Sequence, residues 1–293
     1  MNILLTGGSG FIGKNILQSP LLKKYQWTAP SRQELDLLDE QAVAAFLSGR
    51  RFDAVIHAAG KPGHRNAKDR SGIFYADSRM LLNLLRHEQE YKKMIILGSG
   101  AIYDQRFDIQ KVQEADYLRH LPVDEHALYR YLSARLTEQN KKIIELRLFG
   151  IFGPHEDYAI RFISNAICKS LLNLPITIKQ NRKFDYLYAP DLMPVLDYFL
   201  CHEADEAAYN VTPDQAVELH QLAELVLQVS GKDLPIQIAE PGLGLEYSGD
   251  NQRLKRELAA WELTPLEQAV RQLYGWYTER KDALQPELLL VDK

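Results

Sequence analysis

The segment Thr6-Gly7-Gly8-Ser9-Gly10-Phe11-Ile12-Gly13 constrains this chain more than any other. It follows the apolar run Ile3 to Leu5 and opens a helical pattern, so a strand, a tight turn and a helix must succeed one another. Gly8, Gly10 and Gly13 satisfy G-x-G-x-x-G, and Gly7, Gly10 and Gly13 give a related spacing. Glycine at these places lets the backbone turn sharply, approach an anion closely and bring the helix against the strand. The first N–H groups of that helix then face the anion. The unit is that of a dinucleotide-binding α/β fold, and Gly7, Gly10, Phe11, Ile12 and Gly13 are its candidate cofactor residues.

The first half of the chain keeps the matching rhythm. Strand patterns at Asn2 to Thr6, Gln26 to Ala29, Asp53 to His57 and Met94 to Leu97 alternate with helical spacing at Gln41 to Leu47 and Ala76 to Glu88. Asp124 caps a helix from Glu125 to about Gln139, and a strand follows over Ile143 to Phe149. These alternations predict a Rossmann-type doubly wound parallel sheet. Beyond Gly153-Pro154 come a helix at Ala159 to Leu172, a strand at Ile176 to Lys179, the aromatic segment FDYLYAPDL, and helices at Leu192 to Leu200 and Val217 to Val229. The expected division is a cofactor domain over 1–155 with a return segment about 184–211, and a smaller, mostly C-terminal α/β substrate domain over 156–183 and 212–293. The cleft between them is the expected substrate site. Residues from Gln285 to Lys293 read as a frayed tail.

Composition excludes other classes. A net charge of -4 across 293 residues offers no basic field for nucleic acid. Cys168 and Cys201 sit in apolar helical patterns and read as buried thiols of a reducing compartment. Ile3 to Leu5 is too short for a signal sequence or membrane span, so a cytoplasmic location with no membrane contact is expected. The histidines outside the helix at 125–139, His64 and His155 among them, show no metal-ligand spacing, and no metal is expected.

The choice of dinucleotide is set near the end of the second strand, where a carboxylate accepts from the ribose hydroxyls and a cation accommodates a 2'-phosphate. Ala29-Pro30-Ser31-Arg32 offers no carboxylate at the strand end. Arg32 therefore favours NADP(H) over NAD(H).

TGGSGFIG, His57-Ala58-Ala59-Gly60, Gly98-Ser99-Gly100-Ala101-Ile102-Tyr103, LRLFGIFGP at 146–154 and FDYLYAPDL at 184–192 stand in an order and spacing that resembles the extended short-chain dehydrogenase/reductases acting on nucleotide sugars. The stretch SRQELDLLDEQAVAAFL is most similar to the GDP-fucose synthase branch. The resemblance implies NADPH use, Asp36 and Leu37 against the adenine, Ala58, Ala59 and Gly60 beside the cofactor ribose, and Ser99 as the catalytic hydroxyl. It also implies a homodimer through the helix at 125–139 and the long helix before it. A hydroxyl at the end of a central strand suits polarisation of a sugar oxygen.

The chain departs from the family where a tyrosine and, four residues on, a lysine are expected. No such pair occurs on the helix at 125–139, where the resemblance places it. One register puts His126 at the tyrosine and Arg130 at the lysine; its rival uses Tyr131 with Arg135. At about 100° per residue, 126, 129, 130 and 133 share a helix face and 131 points elsewhere. Geometry favours His126 and Arg130, with Tyr129 as a further phenol on that face. Phe184 replaces an arginine common in relatives. Candidate substrate residues are Ser99, Tyr103, Arg161, Asn165, Asp185, Tyr186 and Arg253, with Lys179 as another cation.

Two functions compete on these grounds. One is a nucleotide-sugar epimerase or reductase for surface-polysaccharide sugars. The other is a dinucleotide-binding regulator or sensor of the same fold, motivated by the missing tyrosine and lysine.

Overall fold

The computed structural model describes residues 1–63 and 67–290; His64 and the last three tail residues lie outside them. From the amino terminus the elements are β1 (Asn2–Thr6), α1 (Phe11–Gln18), α2 (Leu21–Lys24), β2 (Gln26–Thr28), α3 (Glu40–Leu47), β3 (Phe52–His57), α4 (Ile73–Leu85), β4 (Tyr91–Ser99), β5 (Ile109–Val112), α5 (Glu125–Thr137) and β6 (Ile143–Leu148). Then come β7 (Gly150–Phe152), α6 (Phe162–Leu171), β8 (Ile176–Asn181), β9 (Lys183–Phe184), β10 (Tyr186–Tyr188), α7 (Leu192–Cys201) and β11 (Ala208–Val211). The chain closes with β12 (Val217–Glu218), α8 (Leu219–Ser230), β13 (Ile236–Leu243), β14 (Tyr247–Gly249), α9 (Gln252–Glu257) and α10 (Leu266–Thr278).

Six strands form one parallel sheet in the order β11-β6-β4-β3-β1-β2. Its strands are apolar on both sides because both faces are covered. One face packs Ile3, Leu5, Ile56 and Leu97 against Ile16 of α1 and Val195, Leu196 and Phe199 of α7. The other packs Leu4, Val55 and Ile96 against Val43, Leu81, Leu84 and Tyr129 from α3, α4 and α5. Strand order reverses between β1 and β3, and the crevice above the carboxyl ends at such a reversal is where open α/β sheets take ligands.

A second core joins α6, α8 and α10 to β8 through Ile163, Ile167, Leu222, Val226, Val270 and Leu273. Short strands β5, β9, β12 and β14 make a separate sheet, whose Ile109, Val112 and Tyr247 pack in a cluster of their own. Leu254 of α9 and Trp261 pack into the first core although they belong to the last third of the chain.

Two expectations need correction. Cys168 is buried, but Cys201 is exposed, with its Sγ 3.1 Å from the Tyr25 hydroxyl; it ends α7, where the helix turns its last residue to the surface. The tail is not frayed up to residue 290: Pro286–Leu289 forms a short helical turn whose Leu289 is fully buried in the second core. Among the described residues no helix is long and apolar enough to cross a membrane.

Candidate active site

The turn after β1 is held by a hydrogen bond from Gly10 N to Gly7 O at 3.0 Å. Gly7 has φ +75°, and a side chain there would sit 2.7 Å from the backbone of Ala58 and Ala59. A methyl group at Gly13 would come within 2.2 Å of Gly7 O. Both positions therefore exclude any other residue, and the loop is pressed onto the end of β3. Gly10 caps α1 without any side-chain hydrogen bond, so the first N–H groups of that helix remain open to an anion.

Above this turn lies a cavity of about 800 Å³. Gly7, Gly10, Arg32, Asp36, Leu37, Ala58, Ala59 and Gly60 all line it, gathered from the ends of β1 and β3 and the loop after β2. Phe11, Ile12 and Gly13 follow in the first turn of α1, behind the wall. Sequence reasoning missed Lys61, Tyr75 and Met80 on the far wall. Only the loop after β3 and the docking of α4 bring them in. Arg32 stands at the rim, highly exposed, with its guanidinium 3.7 Å from the Asp36 carboxylate. The volume, the crowded glycines and the open helix end fit a dinucleotide.

Beside the cavity, Ser99 ends β4 and its Oγ accepts a hydrogen bond from Ala101 N at 3.2 Å. Asp124 Oδ1 accepts from Ala127 N at 2.9 Å and so fixes where α5 begins. The face of α5 carrying 126, 129 and 130 turns toward the sheet. Arg130 donates to Leu97 O of β4 at 2.9 Å, its buried Nε has no partner, and its charge acts on His57 and Asp77. Burial, then the Arg130 charge, lowers His126 to about 4, with Arg161 adding to the effect and Asp124 opposing it. At neutral pH the imidazole is uncharged. His57, wholly buried beside Thr6 Oγ1 at 2.8 Å, is held down to about 3 by burial and the Arg130 charge.

Tyr129 is 1% exposed and burial raises its phenol to about 12, so it is sealed between helix and sheet rather than presented to the cleft. Tyr131 and Arg135 face away: Tyr131 packs on Tyr117 with ring centroids 5.5 Å apart, and Arg135 bonds Glu138 at 2.5 Å. The helix thus packs with 129 and 130 toward the sheet and 131 and 135 away from it.

The substrate candidates separate into two groups. Arg161, exposed at the start of α6, and Tyr186 lie together, since the Arg161 charge acts on Tyr186, His126 and Tyr247. The others are bonded within the protein, Lys179 at its surface. Tyr103 donates to Asn210 Oδ1 at 2.5 Å and accepts from Arg147 at 3.0 Å. Asp185 is fully buried and accepts from Thr212 Oγ1 at 2.5 Å and Gly249 N at 2.8 Å. Asn165 is buried and donates to Tyr158 O at 3.0 Å. Arg253 donates to Ala208 O at 3.1 Å and pairs with Glu114 and Glu206 at 3.4 and 3.6 Å. Lys179 pairs with Glu240 at 3.7 Å on β8 and β13. These side chains tie separate segments of the chain together, a role that sequence spacing does not distinguish from ligand contact.

Under Ser99 runs a buried network. Arg147 of β6 is 2% exposed and donates to Glu145 at 2.9 Å and Glu114 O at 2.7 Å as well as to Tyr103. It fixes β6 against the short helical turn 100–103 that follows Ser99.

A family model described as NAD dependent epimerase/dehydratase family matches residues 3–212. GDP-L-colitose synthase of Yersinia pseudotuberculosis is 28% identical over 221 residues, covering 68% of this chain and 71% of that protein. GDP-L-fucose synthase of Sinorhizobium fredii is 25% identical over 251 residues, covering 78% and 80%. Among solved structures, GDP-mannoheptose C4 reductase from Campylobacter jejuni with NADP bound shares the fold at a TM-score of 0.81 and 17% identity, covering 94% of this chain and 98% of that one.

Proposed function

The chain belongs to the NAD dependent epimerase/dehydratase family, and on that premise we propose that it reduces or epimerises a GDP-linked keto sugar with NADP(H). The observation that carries the reading is the glycine turn: an uncapped helix end and a backbone packed too closely for any side chain face one cavity at the sheet's switch point. Relatives that make GDP-sugars supply the substrate class. A purely regulatory role is disfavoured, because those relatives are synthases.

In this reading the cofactor lies on 1–155 with the return segment about 184–211, and the sugar nucleotide against 156–183 and 212–293. The turn at Gly7 to Gly13 and the end of α1 hold the pyrophosphate, Arg32 meets the 2'-phosphate, and Asp36 and Leu37 border the adenine. Ala58 to Gly60 and Arg130 hold the riboses; as a fixed cation Arg130 takes the lysine's place. Arg161 faces the substrate diphosphate. When bound, the reduced nicotinamide supplies a hydride to the sugar's carbonyl carbon. Ser99 polarises the carbonyl oxygen, and neutral His126 orients it by donating a hydrogen bond. Exposed Leu82 on α4 and Leu136 on α5 fit the homodimer expected through those helices.

The test is thermal stabilisation by NADPH and NADH, alone and with GDP-, CDP-, UDP- and dTDP-sugars. A ligand near 100 times its Kd stabilises by about 2.7 kcal/mol, a readable shift. NADPH together with one GDP-sugar is the expected pair. No response to either dinucleotide would remove the proposal.

A further inference from the structure

Reduction of a carbonyl requires a proton as well as a hydride, and α5 presents neither of its tyrosines to the site, Tyr129 being sealed and Tyr131 packed on Tyr117. We infer that Tyr247 of β14 is the proton source, acting through the hydroxyl of Ser99; this rests on the function proposed above.

The placement comes from the far end of the chain. A methyl group added at Gly100, the residue after Ser99, would lie 2.7 Å from the Tyr247 phenol oxygen. The ring is buried and gripped by Phe149 and Phe184, with centroids 5.1 and 5.8 Å away. Its backbone carbonyl accepts from Asp185 N at 3.1 Å, and β14 runs parallel to β5, pairing Tyr247 with Ile109. The phenol is therefore fixed over the end of β4. Burial pushes it upward, while the neighbouring Ser99 hydroxyl pulls the other way. It stays protonated at neutral pH, the state a donor needs in the reductive direction.

The other groups near Ser99 do not compete. His126 is uncharged at neutral pH, and its remaining N–H donates a hydrogen bond but is too weak an acid to supply the proton. Tyr129 is sealed, and Tyr131 faces Tyr117.

The step balances. As the carbonyl carbon gains the hydride and its electron pair, the carbonyl oxygen takes the Ser99 proton and Ser99 takes the Tyr247 proton. The phenolate then regains one from water. One C–H and one O–H bond form, the carbonyl π bond breaks, and NAD(P)H is the two-electron reductant.

Tyr247→Phe keeps the ring and removes one oxygen. With the full chain, NADPH and a GDP-linked 4-keto sugar, kcat is expected to fall about 100-fold or more, with KM and NADPH affinity within about threefold of wild type. Tyr131→Phe is expected to leave kcat unchanged. A kcat near wild type in Tyr247→Phe, or the large loss appearing in Tyr131→Phe instead, overturns the inference. A second measurement needs no turnover. In protein labelled with carbon-13 at the tyrosine ζ position, the resonance missing from Tyr247→Phe should move in Ser99→Ala. An unmoved resonance overturns the contact even if no nucleotide sugar proves to be a substrate. Failure of the wild type on every sugar with a moved resonance would remove the proposed function and leave the Ser99 contact standing.

Discussion

Arg147→Met removes a guanidinium that is 2% exposed and makes three hydrogen bonds, to Glu145, Tyr103 and Glu114 O. Methionine fills similar volume but donates nothing. The Glu145 carboxylate is then stranded, because its other oxygen, Oε1, already has no partner. Stranding one member of a buried ion pair costs about 3–5 kcal/mol. Three lost hydrogen bonds, one of them charge to charge, give a cost of the same order. At roughly 2–3 °C per kcal/mol for a chain of this size, the melting temperature should fall by about 6–15 °C. Denaturant titration followed by circular dichroism gives the free energy, and a thermal scan gives the midpoint. The double variant Glu145→Leu with Arg147→Met removes both charges and should regain at least about half of the loss, since a buried pair replaced as a whole is often neutral. A single variant that loses less than about 1 kcal/mol, or a double variant no better than the single, would refute the view that this pair is a dry, mutually dependent unit.

Three further outcomes are expected. Gly13→Ala forces a methyl group to 2.2 Å from Gly7 O; it should cost about 1–3 kcal/mol and abolish stabilisation by NADPH, both read by thermal shift. Arg32→Ala should weaken NADPH about tenfold, with NADH affinity unchanged in fluorescence titration, because only the 2'-phosphate is lost; equal weakening of both would count against Arg32. Burial raises Glu156 from 4.5 to about 7, so the folded state holds an extra proton between those values and loses stability as pH rises through that window. Glu156→Gln should therefore match wild type near pH 5 and exceed it at pH 8 by up to about 3 kcal/mol, measured by denaturant melts.

The sequence by itself determined the glycine turn, the start of α5 at Asp124 and the face of α5 that carries His126 and Arg130. Each is local. A turn that excludes every side chain but hydrogen, a cap three residues from the N–H it satisfies, and a helical repeat are all written within one stretch of chain. Arg32, Asp36, Leu37 and Ala58 to Gly60 reach one cavity because parallel strands in a switch-point sheet end side by side. Tertiary structure decided what the polar residues of the second half do. Asp185, Tyr103 and Arg253 look like ligand contacts in sequence, yet each is bonded to segments that are remote from it along the chain. Tyr247 showed the reverse: unmarked in sequence, it is carried to Gly100 by the pairing of β14 with β5 and by the aromatic pocket of Phe149 and Phe184. Such pairings join segments more than a hundred residues apart, and no periodicity along the chain encodes them.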